Sequence, residues 1–299
     1  MTRVTRTPYD LTDKVVLITG GNGGIGAATG RELLRRGARL VVADIDTTTP
    51  ERAAALGADR VLGCVADVRD RSSLDDVVAQ AVDRFGRLDV VMANAGLLAK
   101  AATLRNTPIA DVEATLAVNV TGVVNTVAAG MDEVITNRGQ IVLISSVFAF
   151  INGMGTIPYA MSKAAVEQLG RGLRLELADH QVSVLTAYFS LVDTDMIKHG
   201  VDNDDVVLEL LSTLPKPMLK RVSPASAANA VVDGLEQRSV RVIHPEVWRP
   251  VSTLRGILGP SLDAKFAVDR RILDVLARLD ARSTPTASAH ASRTTDEGN

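Results

Sequence analysis

The sequence is poor in the residues that hold small secreted or metal-binding proteins together. It contains one cysteine, Cys64, and four histidines among 299 residues. A single thiol cannot form an internal disulfide, and the scattered histidines lack the spacing of metal ligands. The sequence therefore predicts no metal site and a reducing compartment, the cytoplasm, with Cys64 as a small core residue.

The chain also lacks an excess of charge of either sign. Lysine and arginine together number 33, against 35 aspartates and glutamates, so the formal net charge is −2. A surface that binds nucleic acid is usually strongly basic, so no nucleic-acid partner is expected. Hydrophobic residues make up 46% of the chain, a proportion typical of a globular protein, and most of the chain should fold.

We expect no membrane span. The longest stretch without charge, residues 139–162, contains asparagine, glycine and proline, which favours a strand followed by a loop. Residues 1–10 lack the apolar segment of a secretory signal, and we interpret them as a flexible leader. Residues 283–299 are rich in serine, threonine and alanine, and they are predicted to be disordered.

What the sequence does contain is a repeated alternation of short β-branched runs and longer stretches with helical periodicity. Runs such as 15–18 and 141–144 are continuously apolar, as expected for strands that are buried on both faces. The alternation predicts a single doubly wound α/β domain over residues 11–245, with a parallel sheet and helices on both faces. The predicted strands are 15–19, 39–43, 60–65, 90–94, 140–145, 182–188 and 241–243; the predicted helices are 24–36, 50–56, 72–85, 109–137, 158–179, 204–214 and 224–237.

Residues 246–282 are predicted to form a helical extension beyond this sheet. Three prolines precede the segment 262–279, in which apolar residues recur with helical spacing, and we predict a helix there. This helix either packs on its own domain or on a neighbouring subunit, or it lies on a membrane surface.

The first predicted strand runs into a glycine-rich turn, within which a helix begins. The G-x-G-x-x-G spacing of Gly21, Gly23 and Gly26 lets backbone amides approach a pyrophosphate at the positive end of that helix. The spacing alone is weak support, because glycine-rich turns without ligands are common. The context strengthens it, since Asp44 ends the second strand about 20 residues further on, as in dinucleotide-binding folds.

Asp44 bears on the choice of cofactor. A carboxylate there can accept hydrogen bonds from the adenosine ribose and repels a 2′-phosphate, which favours NAD over NADP. Alternatively, Asp44 only caps the following turn, or the nearby Arg35, Arg36 and Arg39 bind a phosphate. Asp67, after the third strand, either accepts a hydrogen bond from the adenine amino group or is an ordinary turn residue.

A candidate acid–base pair follows the fifth strand. Tyr159 and Lys163 lie one helical turn apart, on one face of a predicted helix. An ammonium beside a phenol stabilises phenolate and lowers the tyrosine pKa, as acid–base catalysis on an alcohol and a carbonyl requires. Taken alone, the pair is better explained as part of a surface helix. Ser146 changes that balance, because it ends a strand at the edge where open α/β sheets bind ligands.

Together these segments resemble the short-chain dehydrogenase/reductases. The resemblance covers about residues 11–243. It implies a Rossmann-type sheet of about seven strands, a nicotinamide cofactor, and hydride transfer between an alcohol and a carbonyl carbon. The segments that carry it are Thr19-Gly20 through Gly26, Asp67-Val68, Asn94-Ala95-Gly96, Val118-Asn119-Val120, Ser145-Ser146 and Tyr159 through Lys163.

The resemblance implies a role for each catalytic residue. Tyr159 would transfer the proton, Ser146 would bond the substrate oxygen, and Lys163 would bind the nicotinamide ribose and lower the Tyr159 pKa. Asn119 would hold a water in a proton relay through an irregularity in its helix; otherwise it is a buried amide bonded to backbone. The implied cofactor contacts are Gly20, Asn22, Gly23, Gly24, Ile25, Gly26, Asp44, Ile45, Asp67, Val68, Asn94, Ala95, Gly96, Tyr159, Lys163, Val192, Thr194 and Met196.

One segment departs from the family pattern. Relatives usually carry Pro-Gly after the sixth strand, where this chain has Phe189-Ser190. Thr194 still matches the residue that would bond the nicotinamide carboxamide, with Val192 beside it. The departure therefore puts the conformation of this loop in question, and not the catalytic residues.

The segment between the catalytic serine and tyrosine, residues 147–157, carries no charge. Its apolar side chains either line a substrate site or pack into the core. The first interpretation predicts a lipophilic, uncharged secondary alcohol or ketone, contacted by Ser146, Phe148, Met154 and Tyr159. Residues 191–219 resemble the mobile lid of this family. The candidate wall residues are Val147, Phe148, Phe150, Ile151, Met154 and Ile157.

The resemblance also implies a homodimer or homotetramer joined through the two long helices. Small residues on these helices, such as Gly130 and Gly170, suit close packing between subunits, but core helices contain them too. Two other functions are considered: an epimerase or dehydratase that retains and recycles NAD, and a nonenzymatic dinucleotide-binding protein. The complete set of catalytic residues favours an NAD-dependent alcohol dehydrogenase or ketoreductase.

Overall fold

The computed structural model describes residues 8–282. The predicted disordered tail and most of the predicted leader lie outside this range. Within it, seven strands form one sheet: β1 (Val15–Thr19), β2 (Arg39–Asp44), β3 (Val61–Val65), β4 (Val90–Ala93), β5 (Gln140–Ser146), β6 (Ser183–Phe189) and β7 (Arg241–His244).

The strands are all parallel, in the order β3-β2-β1-β4-β5-β6-β7. From β1 the chain first adds β2 and β3 on one side, and it then crosses back to add β4 on the other side of β1. The connections therefore diverge at the carboxyl end of β1. Such a switch point opens a crevice at the carboxyl ends of the strands, where ligands bind in open α/β sheets. The prediction of a doubly wound parallel sheet is confirmed.

Helices connect the strands and bury the sheet on both faces. Side chains of α3, α5 and α6 enter the core on one face, and those of α1 and α9 enter it on the other. The helices are α1 (Gly24–Arg35), α2 (Thr49–Gly57), α3 (Arg71–Phe85), α4 (Ile109–Leu116), α5 (Gly122–Thr136), α6 (Ile157–Glu176), α7 (Asp195–Ile197), α8 (Asp205–Ser212), α9 (Pro224–Glu236), α10 (Arg249–Phe266) and α11 (Arg270–Asp280).

Tighter and wider turns interrupt this pattern. A π-helical turn, Ala117–Thr121, joins α4 to α5, and a second, Lys198–Asp202, follows α7. The 3₁₀ turns are Leu104–Asn106, Val147–Ala149, Lys216–Leu219 and Glu246–Trp248.

The C-terminal prediction was wrong in one respect. The structure has two helices in place of the single helix predicted over 262–279. The first, α10, starts earlier, at Arg249, and the second, α11, starts after a break. Proline is well suited to the first helical turn, so Pro250 opens α10 and does not delay it. Asp269 accepts a hydrogen bond from the Arg271 amide and thereby caps the new helix α11.

The stretch Ile109–Thr136 is the one helical segment of the described chain that is long and apolar enough to cross a membrane by length and composition. Its Val123, Val127 and Val134 are buried in the core beside the sheet. That packing is typical of a core helix.

Two smaller predictions concern packing. Cys64 is buried, and burial raises the pKa of its thiol to about 11, so Cys64 is the inert core residue expected. Gly130 and Gly170 face side chains of their own subunit and not a neighbouring subunit. A Cβ on Gly130 would lie 2.5 Å from Val91, and a Cβ on Gly170 would lie 2.3 Å from Thr186. Close packing inside one subunit therefore accounts for both glycines.

Candidate active site

The glycine-rich turn sits at the switch point, between β1 and α1. Gly20 has φ +64°, and a Cβ there would lie 2.8 Å from the Ala95 Cα. A Cβ on Gly26 would lie 2.4 Å from the Gly20 carbonyl oxygen. Only glycine permits these backbone approaches, which bring the turn against the loop that follows β4.

The N-terminus of α1 fits a phosphate group. Gly23 is its N-cap residue and offers no side chain to the first amides of the helix. A Cβ on Gly23 would meet nothing within 4 Å, so the turn is open on this side. Uncapped amides at the positive end of a helix are a natural anion site, and the predicted contacts Asn22, Gly24 and Ile25 flank it.

Asp44 ends β2 beside this turn. Its carboxylate accepts hydrogen bonds from the Asn22 amide at 3.0 Å and the Asp46 amide at 3.3 Å. It therefore caps the turn and shapes the glycine-rich loop, and the two interpretations of Asp44 are compatible. Ile45, the next residue, is 63% exposed at the same edge, where an apolar surface suits an adenine ring.

Two residues that the sequence did not single out hold the same loop. Thr49 accepts a hydrogen bond from the Asn22 side chain at 2.7 Å, and Arg52 donates to the Asn22 carbonyl at 2.8 Å. Both lie on α2 outside any motif, and no pattern in the sequence could have identified them.

The three arginines considered as phosphate ligands are bound elsewhere. Arg35 pairs with Glu32, and Arg39 pairs with Asp13. Arg36 pairs with Glu32 and also with two acidic residues of α9. Each of the three guanidinium groups therefore already has a carboxylate partner.

The Asp67 carboxylate forms an ion pair with Arg69. Arg69 donates to both of its carboxylate oxygens, which holds the pKa of the Asp67 carboxyl below its usual range. This contact supports the turn interpretation, although Asp67 still lies at the sheet edge beside the buried Val68.

The loop after β4 forms the floor of the crevice. The Asn94 side chain donates to the Thr19 and Gly20 carbonyls at 3.0 and 2.9 Å, which locks this loop to the glycine-rich turn. At Gly96, a Cβ would lie 3.6 Å from both the Asn119 Oδ1 and the Lys163 Nζ. Small residues here bring the floor close to the predicted catalytic groups.

The predicted catalytic residues meet at the carboxyl end of β5. Ser146 ends this strand and donates to the Phe189 carbonyl at 3.2 Å, while Tyr159 rises from the first turn of α6 beside it. The Phe148 ring stands edge-on to the Tyr159 ring, with centroids 5.9 Å apart. Ser145, by contrast, donates to the Lys163 carbonyl and holds α6 in place, so Ser146 is the serine that reaches the cavity.

Burial sets the proton affinities of the pair. Lys163 is buried, donates to the Ile144 carbonyl at 3.1 Å, and lies 5.5 Å from the centre of the Tyr159 ring. Burial lowers the pKa of Lys163 to about 8, so its ammonium is present at neutral pH and is lost as the pH rises above that value.

The predicted lowering of the Tyr159 pKa is wrong for the protein alone. Burial raises the pKa of Tyr159 to about 12, because the phenolate loses its hydration, and the hydrogen bond with Ser146 offsets this only in part. The phenol is therefore protonated at neutral pH.

Asn119 occupies the helix irregularity that was predicted for it, the π-helical turn Ala117–Thr121. Its side chain is fully buried; it accepts from the Leu97 amide at 2.7 Å and donates to the Leu97 carbonyl at 2.9 Å. It also donates to the Ser162 hydroxyl at 3.0 Å, next to Lys163. Asn119 thus connects the loop after β4 to α6. The sequence did not indicate that Ser162 takes part in this contact.

The loop after β6 begins at Phe189-Ser190, where relatives usually carry Pro-Gly. The Phe189 side chain is buried, and Ser190 lines the cavity. Val192 forms a β-bridge with Val222, and its carbonyl accepts from the Thr194 hydroxyl at 3.2 Å. A Cβ on Gly24 would lie 2.9 Å from the Thr194 side chain, so this loop meets the glycine-rich turn.

An apolar cavity opens beside Ser146 and Tyr159. Tyr159 is the one ionisable residue in its wall, as far as the described residues go. The wall consists of Leu98, Ala99, Ala101, Ser146, Val147, Phe148, Ile151, Met154, Gly155, Thr156, Tyr159, Ser190, Leu191, Ile197, Gly200, Val201, Val207, Leu210, Leu211, Leu214, Met218, Leu219 and Trp248.

The predicted wall is right in part. Val147, Phe148, Ile151 and Met154 line the cavity, but Phe150 packs on Tyr188 and Trp248 in the core, and Ile157 lies outside the wall. Met196 belongs to an adjoining, more polar pocket that also includes Gly96 and Lys100.

A family model described as short chain dehydrogenase matches residues 14–205. The BbsD subunit of (2S)-[(R)-hydroxy(phenyl)methyl]succinyl-CoA dehydrogenase from Thauera aromatica is 35% identical over 62% of this chain and 75% of its own length. The putative oxidoreductase SadH of Mycobacterium tuberculosis is 31% identical over 83% of this chain and 92% of its own length.

A solved structure shares the fold. The 3-ketoacyl-(acyl-carrier-protein) reductase from Brucella melitensis, complexed with NADH, superposes with a TM-score of 0.70 at 23% identity. The superposition covers 78% of this chain and 97% of that chain. From the family match, the relatives and the fold together, the chain belongs to the short-chain dehydrogenase family and is an oxidoreductase of that family.

Proposed function

We propose that this protein is an NAD(H)-dependent dehydrogenase or ketoreductase that acts on a lipophilic secondary alcohol or ketone. The observation that carries the proposal is the cavity: Ser146 and Tyr159 face a wall without another ionisable side chain among the described residues. A carboxylate or phosphate on the substrate would be buried there without a countercharge, which is costly. Apolar, uncharged substrates suit such a site.

Similar proteins support the class of reaction. Two curated relatives are named as dehydrogenases, BbsD and the 2-(R)-hydroxypropyl-CoM dehydrogenase of Xanthobacter autotrophicus, the latter 28% identical over 73% of this chain. The structural neighbour from Brucella melitensis is complexed with NADH. The uncapped α1 terminus and the open turn at Gly23 fit the pyrophosphate of such a cofactor.

The bound nicotinamide would supply or accept the hydride. Ser146 orients the substrate oxygen, and the Tyr159 hydroxyl delivers a proton to it during reduction or removes one during oxidation. The Lys163 ammonium lies 5.5 Å from the centre of the Tyr159 ring and would stabilise negative charge that develops on the Tyr159 oxygen during the reaction. The contacts of Asn119 with Leu97 and Ser162 hold the loop after β4 against α6.

A substrate panel tests the proposed class. We expect NADH oxidation with cyclic and long-chain ketones. Charged keto acids with the same number of carbon atoms should show no turnover. The measurement is the loss of NADH absorbance with purified protein. Turnover confined to charged substrates would contradict the proposal.

The cofactor preference rests on Asp44. Replacing it with serine, Asp44→Ser, is expected to weaken NADH binding by about tenfold, because a charge-assisted acceptor for the ribose is lost, and to relax the discrimination against NADPH. Asp46→Ser is the matched control on the same turn, since among the described residues the Asp46 side chain bonds Thr48 of its own turn and Arg52. Fluorescence titrations with both cofactors give the ratio; unchanged selectivity in Asp44→Ser would show that Asp44 does not set it.

Assembly and location are also proposed. We infer a homodimer or homotetramer in the cytoplasm, with residues 11–245 as the catalytic domain. Ile109, Val124 and Met161 are 70%, 44% and 51% exposed on the helices α4, α5 and α6. Exposed apolar side chains on adjoining helices suit a subunit contact.

A further inference from the structure

The C-terminal helix α11 packs directly behind the substrate cavity. Ile272, Val275 and Leu279 are buried, and they form one apolar cluster with Leu210 of α8. Leu210 itself lines the cavity, whereas no residue of α11 does. The helix α11 is therefore a second layer behind the wall, and α8 lies between it and the substrate.

Arg282, just beyond α11, holds the start of α8. Its guanidinium donates to both carboxylate oxygens of Asp204, at 2.7 and 2.5 Å, and also to the Ala101 carbonyl at 3.1 Å. Asp204 in turn caps α8 by accepting from the Val206 and Val207 amides. One side chain thus connects the end of α11, the start of α8 and the loop after β4.

Asp280 ties α11 to the same loop. Its carboxylate accepts from the Thr103 hydroxyl at 2.6 Å and from Arg105 at 2.8 Å, and its carbonyl accepts from the Asn106 side chain. Thr103 lies two residues after Ala101, which lines the cavity. These contacts hold the loop after β4, which contributes Ala101 to the cavity wall, against α11.

Another segment of the cavity wall, residues 152–155, contacts α11 at Gly155. A Cβ on Gly155 would lie 3.2 Å from Leu279 and 3.4 Å from Leu210, so the segment between the catalytic serine and tyrosine fits tightly against both helices. The Gly155 carbonyl also accepts from the Ala102 amide at 3.0 Å. Three wall segments, 101–107, 152–155 and α8, therefore converge on one helix.

We propose that α11, through Asp280 and Arg282, is a clamp that sets the size of the substrate cavity by holding α8 against the loop after β4. Arg282 and Asp280 are positioning residues, because neither touches the cavity or the catalytic groups. This inference rests on the proposed function and assigns substrate-size selection to side chains outside the wall. Compact ketones depend on the closed wall for their contacts, whereas bulky ketones tolerate an opened one.

The test compares Arg282→Gln with Arg271→Gln in the full chain. Arg271 is exposed, and within residues 8–282 it pairs only with Asp269 of its own helix cap, so it is a matched control. In Arg282→Gln we expect KM for a compact cyclic ketone to rise about fivefold to tenfold, with kcat and NADH affinity within about twofold of the unchanged protein. KM for a bulky ketone should stay level or fall. Limited proteolysis within residues 191–219 should become about threefold faster, because α8 opens more often.

Three outcomes decide the proposal. The KM split between compact and bulky ketones, partly restored in Arg282→Lys, supports it. Unchanged KM values and an unchanged rate of proteolysis overturn it. So does a fall in kcat and NADH affinity together with an equal rise in KM for both ketones, because that pattern indicates general destabilisation. Asp280→Asn carries the same comparison if Arg282→Gln does not fold. Proteolysis needs no substrate, so it still tests the clamp if the protein reduces no ketone and the proposed function fails.

Discussion

Replacing Tyr159 with phenylalanine is expected to lower kcat by about 10²–10⁴-fold, the usual contribution of a positioned general acid or base. The variant keeps the ring that packs edge-on against Phe148 and removes only the hydroxyl beside Ser146. Ketone reduction then has no group that can deliver the proton. NADH affinity should stay within about threefold, because the glycine-rich turn and Asp44 are untouched.

Tyr9→Phe is the matched control for this change. The Tyr9 hydroxyl is buried and has no hydrogen-bond partner among the described residues, so its removal should leave turnover unchanged. Single-turnover measurements with both variants separate the chemical step from product release. A Tyr159→Phe variant within tenfold of the unchanged kcat would mean that another group transfers the proton.

Replacing Gly26 with valine is expected to weaken dinucleotide binding by about 100-fold. A Cβ there would lie 2.4 Å from the Gly20 carbonyl and 2.7 Å from the Asn94 side chain, so the turn must move away from the loop after β4. The first amides of α1 then lose their position at the pyrophosphate. Calorimetric titration with NAD gives the change in affinity.

Gly172→Ala is the control for a glycine change without a clash, since a Cβ there would meet nothing within 4 Å on α6. That variant should bind NAD normally and unfold at a slightly higher temperature, because alanine favours the helix. Circular dichroism shows whether Gly26→Val keeps its fold. Normal NAD affinity in a folded Gly26→Val protein would contradict the placement of the cofactor at this turn.

Local patterns explain what could be predicted from the sequence. The buried strands read as continuous apolar runs, and the glycine-rich turn, Asp44, Ser146 and the Tyr159–Lys163 spacing each depend on residues close together in the chain. The parallel sheet and its helices on both faces followed from the alternation of strands and helices, and the number of strands followed from the family resemblance. The structure brings the residues of these patterns together at the carboxyl ends of the strands.

What could not be predicted depends on contacts between distant residues or on irregular backbone. The segment 147–156 has no single period, so the sequence could not show that Ile151 lines the cavity while Phe150 enters the core. Arg282 binds Asp204 across 78 positions, and no motif marks the pair. The Tyr159 pKa likewise depends on burial, which a spacing does not reveal.

The most direct test of the central claim is the fate of the transferred hydrogen. Purified protein is incubated with a lipophilic ketone and with NADH that carries deuterium at both C4 positions of the nicotinamide, and the alcohol product is analysed by mass spectrometry. Hydride transfer at this site predicts one deuterium on the carbinol carbon for each NADH oxidised. Substrate conversion with no net NADH oxidation and no deuterium in the product would contradict it, and would point instead to an enzyme that recycles its bound cofactor.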